Sequence, residues 1–199
     1  MATYTNALQI AQRTKGIPYG GSGEIRDDGD ANYGFKNLKA FPHLIKEIPE
    51  LARDEALCEI VTSLNRRESA FATVGCVSGL VDDEQGHRVS GYVEFAFDSV
   101  ERAADASNLF PPFFHFDRNL HQLKFDARVH FHWELMGAVF LESDSTGWTA
   151  IVTVNTDYHS TPENAEVAWS NGLAFLDMIL SSVPKTDDAP LFTEALSLQ

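Results

Sequence analysis

The chain has 199 residues, 29 of them Asp or Glu against 15 Lys or Arg, for a formal net charge of −14. That length suits one domain with a real core, and a hydrophobic content of 44% excludes a wholly disordered chain. A field so short of cations disfavours direct binding of DNA or RNA, which depends on Lys and Arg displacing phosphate counterions.

No apolar run approaches the roughly 18 residues a bilayer demands, so no membrane partner is expected. Met1 to Asn6 lacks the basic and then apolar pattern of a secretory leader. Cys58 and Cys76 are far apart and form no CxxC pair, which fits a reducing, cytoplasmic location.

Residues 1–33 read as a flexible N-terminal arm. Thr5 to Thr14 suggests a short helix around Leu8, Ile10 and Ala11, stopped by Gly16 and Pro18. Gly20-Gly-Ser-Gly23 and Asp27-Asp-Gly-Asp30 read as turns. Gly20 to Gly23 lacks the GK[ST] ending of a phosphate loop. Asp28 to Gly34 opens like a calcium loop, but Tyr33 stands where glycine is needed and Lys39 where the bidentate acid belongs.

A single α+β domain is then expected over 34–184. Leu38 and Phe41 begin a helical pattern, and Pro49 suits the first turn of a helix bearing Leu57, Ile60, Val61 and Leu64. Phe71 to Val81, a turn at Asp82 to Gly86, and the alternation from Val89 to Asp98 predict a first hairpin. Asp98 with Glu101 resembles a helix start, and Pro111-Pro112 should break that helix. Phe113, Phe116, Leu120 and Leu123 suggest another short one.

A second hairpin should run from about Phe125 to Glu142 and from Trp148 to Asp157, with a bulge at Gly137. Thr161-Pro162-Glu163 opens a strong helix with Trp169, Leu173, Leu176, Leu180 and Val183 on its apolar stripe. Residues 185–199 form a tail, with one turn near Thr193 to Leu196. The fold expected is a four- to five-stranded, mainly antiparallel sheet of two hairpins with helices packed on one face, in the order helix, hairpin, helix, hairpin, helix. In topology and charge this resembles small acidic secretion chaperones, a likeness of architecture with no shared motif behind it.

The most informative stretch is Arg128 to Leu135. Arg128, His130, His132 and Glu134 alternate with Val129, Phe131, Trp133 and Leu135, so one row faces the core and the other an open sheet face. That open face is expected to carry Tyr92, Glu94, Asp98, Arg128, Thr149, Thr153, Asn155 and Asp157 as well. His130, His132 and Glu134 make a candidate site for a divalent transition metal such as zinc, manganese or iron. Glu134 lies roughly 13 Å from His130 along an extended strand, so Glu94, Asp157 or His159 is the easier third ligand. No GxSxG elbow or cysteine nucleophile signature accompanies them, and no catalytic residue is assigned.

The leading expectation is therefore an acidic protein-binding module, an inhibitor, adaptor or chaperone rather than an enzyme, needing no cofactor. One concrete form is a mobile-element counter-defence protein whose acids imitate phosphates toward a basic nucleic-acid-binding partner. Tyr92, Glu94, Asp98, Arg128 and Asp157 are the expected contact residues, with Phe110 and Phe114 as an aromatic hook on a target or another protomer. The alternative is a metal-dependent enzyme or small-ligand binder on the His130, His132 and Glu134 face. Homodimerisation through the polar face is the third expectation.

Overall fold

A computed structural model describes residues 4–25, 31–122 and 128–192. The turn at Asp27 to Asp30, the calcium-like opening at Asp28, Leu123, Phe125 and the turn near Thr193 fall wholly or partly outside those residues. The domain is α+β, and its main sheet is mixed rather than mainly antiparallel. The order of elements also departs from expectation, because the described chain opens on a strand.

Strand β1 spans Tyr4–Ile17, where a short helix over Thr5 to Thr14 was expected. Its residues have only moderate helical patterning, and the backbone groups on one side of it are satisfied by pairing parallel with β6. A two-stranded ribbon, β2 (Glu24–Ile25) and β3 (Ala31–Asn32), follows. The helical pattern read from Leu38 and Phe41 becomes a 3-10 turn over Pro42–Glu47. Pro49 then opens α1 (Pro49–Arg53), and Asp54 caps α2 (Glu55–Leu64) by accepting from Leu57 N at 2.9 Å.

Strands β4 (Phe71–Asp83) and β5 (Gly86–Phe97) pair antiparallel. A single turn, α3 (Val100–Ala103), is capped by Ser99 rather than Asp98, and a 3-10 turn leads into α4 (Phe110–Gln122). Pro111 and Pro112 thus lie in the first turn of α4 instead of breaking a helix. There the missing N–H has no intrahelical acceptor to lose. Strands β6 (Val129–Phe140) and β7 (Ser145–Thr156) pair antiparallel, and α5 (Pro162–Ser181) closes the fold with Thr161 as its cap.

The sheet runs β1-β6-β7-β5-β4. Gly137 does not bulge: β6 and β7 stay in unbroken register, and the irregularity lies in β1 between Ile10 and Thr14. Gly137 instead makes room, since a Cβ there would meet Thr14 Oγ1 at 2.9 Å. Gly91 plays a similar part on β5, where a Cβ would lie 2.8 Å from the Trp169 ring of α5.

One face of the sheet carries the core. Val129, Phe131, Trp133 and Leu135 are all buried, with Val93, Phe95, Val152 and Val154 beside them. Trp133 meets Phe95, Phe113 and Phe116 edge-on, at centroid distances of 6.1, 5.7 and 5.5 Å. From above, α2 contributes Leu57, Ile60 and Leu64, and α5 contributes Leu173, Leu176 and Leu180, all buried. The described part of the C-terminal segment packs as well: Leu191 and Phe192 are buried, with Phe192 against Phe35 at 5.0 Å. No helix among the described residues is long and apolar enough to cross a membrane.

Candidate functional site

The row on β6 is extended, with Val129, Phe131, Trp133 and Leu135 buried and His130, His132 and Glu134 half-buried on the other face. Register places Thr5, Ala7 and Gln9 of β1 beside His130, His132 and Glu134, and Asn155, Thr153 and Ile151 of β7 on their other flank. Both nitrogens of His130 are occupied. Nδ1 lies 2.9 Å from Thr5 Oγ1, and Nε2 lies 2.6 Å from Asp157 Oδ1. A carboxylate can only accept, so Nε2–H donates to Asp157, while Nδ1 and the Thr5 hydroxyl share the other hydrogen bond.

Glu134 is also taken. Its Oε1 accepts from Arg13 Nη2 at 2.8 Å and Nε at 3.1 Å, and its Oε2 from Gln9 at 3.3 Å. The alternation therefore marks a seam that holds the N-terminal edge strand rather than three ligands turned toward one ion. Among the described residues, no three or more His, Cys, Asp or Glu side chains are grouped to hold a metal.

Three residues expected on the open face, Glu94, Asp98 and Thr149, are interior. The Glu94 carboxylate is buried, pairs with Lys15 and accepts from Thr149 Oγ1 at 2.6 Å. Thr149 is itself fully buried. Asp98 is buried between two ammonium groups, Lys185 at 3.1 Å and Lys39 at 3.2 Å, and also accepts from Leu191 N at 3.3 Å. Burial pulls the Lys39 ammonium below its ordinary range, and the Asp98 charge opposes that pull. Glu94 thus fastens β1, and Asp98 fastens the segment after α5. Neither offers its charge to a partner.

The other expected contact residues divide. Arg128 is exposed at the start of β6, while Tyr92 and Asp157 are half-buried. Phe110 is half-buried, but Phe114 is 62% exposed on α4, as a hook requires. Burial, followed by the charges of Glu50 and Asp54, pushes the Cys76 thiol up to about 12, which favours the protonated thiol.

A different surface was not singled out by pattern. Helices α2 and α5 pack side by side over the sheet. Together with their caps they carry Asp54, Glu55, Glu59, Glu163, Glu166 and Asp177, and not one Lys, Arg or His. Asp54 is used internally, accepting from Trp169 Nε1 at 2.8 Å. Glu55, Glu59, Glu163 and Glu166 are exposed. Between the helices runs a shallow open groove lined by Glu55, Glu59 and Asp177 together with Ile60, Leu173 and Met178. Met178 is 50% exposed, and Val167 on the same helix 59%. The signal in the sequence was the absence of any cation from 160 to 184, which hydrophobic periodicity does not register.

No protein-family model, curated protein or solved structure matches this chain, so its role must be argued from its own residues.

Proposed function

We propose that this protein is an acidic binding module whose partner is a basic protein segment, docked along the α2–α5 groove. The observation that supports this is the separation of charge. Glu94 and Glu134 of the sheet, and Asp98 just after β5, are matched by Lys15, Arg13, Lys39 and Lys185. Those of α2 and α5 have no cation on either helix. Carboxylates around the half-exposed Met178 suit an amphipathic helix with Lys or Arg on its flanks and an apolar side chain between them. The same field speeds encounter with a basic partner, as on the face of a nucleic-acid-binding protein, and makes the complex salt-sensitive. Inhibition, adaptor activity and chaperoning all reduce to such an occupied face.

The test uses a Leu/Lys amphipathic helical peptide and fluorescence anisotropy. Reversal of Glu55, Glu59 and Glu166 to Lys is expected to weaken binding at least about tenfold, or roughly 1.4 kcal/mol. Reversal of three exposed acids elsewhere, Asp82, Glu84 and Glu101, should cost much less. Equal losses in the two variants would mean that net charge alone attracts the peptide, and the groove assignment would fail.

A further inference from the structure

The β1 edge of the sheet, with α4 beside it, differs in charge from the α2–α5 layer. Strand β1 is the first strand of the sheet and has one neighbour, β6. No described residue pairs with its outer edge, which therefore presents a row of free backbone donors and acceptors. Over Tyr4 to Ile10 the register with β6 is regular; beyond Ile10 the irregularity sets in. The usable template is thus a span of uncharged residues centred on Ala7.

An apolar flank borders this edge. Asn6 of β1 donates to Asp117 of α4 at 3.1 Å, which places α4 beside the strand. Phe114 lies one helical turn before Asp117 and so on the same side of α4, and Phe110 a turn earlier. Ile10, in register with the core residue Leu135, shares the helix-side face of the sheet and is 53% exposed. Ile10 and Phe114 are among the few large apolar side chains left exposed.

Charge indicates the occupant. The first 23 residues contain Arg13 and Lys15 and no acid, and α4 carries Asp117 balanced by Arg118. On a chain of net charge −14 this face is poor in acid, with Asp117, which accepts from Asn6, as the one carboxylate on α4. We propose that it joins two copies of this chain, with β1 pairing antiparallel to its twin about a two-fold axis near Ala7. That register sets Thr5 opposite Gln9 of the other copy and pairs only uncharged residues over Tyr4 to Ile10. The same axis covers both copies of Ile10 and Phe114 at once, as a self-complementary interface requires. Strand pairing alone falls short of the roughly 800 Å² per partner of a stable complex, so the apolar flank is needed. The interface is separate from the α2–α5 groove and does not rest on its assignment.

Sedimentation of the full chain at about 100 µM tests this by mass action. The wild type is expected at twice the chain mass of 22.1 kDa. Ile10→Glu combined with Phe114→Glu should sediment as the single chain while keeping its far-ultraviolet dichroism, since both side chains are exposed. The milder Phe114→Ser alone should weaken the dimer measurably. Val167→Glu with Met178→Glu, on the other helical face, should remain dimeric. A monomeric wild type would overturn the proposal and leave the edge to some foreign strand. So would a dimer that survives the edge variant or is dissolved by the α5 variant.

Discussion

Two sets of carboxylates divide the molecule. Those of one set (Glu94 and Glu134 on the sheet and Asp98 just after β5) lie within reach of Lys or Arg and tie distant segments together. Those on α2 and α5 face outward without a cation on their own elements. The chain has few Lys and Arg, several of them pair with the first set, and none lies on α2 or α5 themselves. The same side chain is a fastener in one region and a docking charge in the other, and what separates the roles is burial with a partner.

That contrast can be broken at several points. The largest effect is expected for Asp98→Ala, which strands the buried Lys39 ammonium beside Lys185 and should lower the unfolding free energy by about 3 kcal/mol in urea titrations. A loss under about 1 kcal/mol would show that the pair is no fastener. Glu94→Gln keeps an acceptor for Thr149 but loses the ion pair with Lys15, and about 2 kcal/mol is expected. Its signature should be local, with earlier proteolysis within β1 than elsewhere. Glu134→Ala should cost no more than about 1 kcal/mol, because Arg13 is 65% exposed and solvent screens the pair. Glu55→Lys and Glu166→Lys, outside any such network, should leave stability within about 0.5 kcal/mol while altering binding.

Much of this division was hidden from the sequence, for definable reasons. The alternation through Trp133 correctly marks an extended strand with a buried aromatic row, because a period of two is a strong local signal. It could not reveal that Thr5, Gln9 and Arg13 would arrive from more than 120 residues away to engage His130 and Glu134. The strand character of β1 was missed for the same reason: a polar edge strand is specified by its neighbour more than by its own residues. Glu94 and Asp98 followed the alternation of β5 onto the open face. They are buried because Lys15, Lys39 and Lys185, none near them in sequence, come in to cover them. The acid-only character of α2 and α5 was present in the letters, but its meaning depends on the two helices lying side by side.

The most direct measurement is a titration of isotope-labelled protein with the Leu/Lys amphipathic peptide, followed by backbone amide chemical shifts. The account predicts that the largest shifts cluster at Glu55 to Ile60 and Asn171 to Met178, fade with added salt, and spare the seam of His130, His132 and Glu134. Shifts concentrated at Tyr92, Arg128 and His132, or spread evenly over every acidic surface, would contradict it.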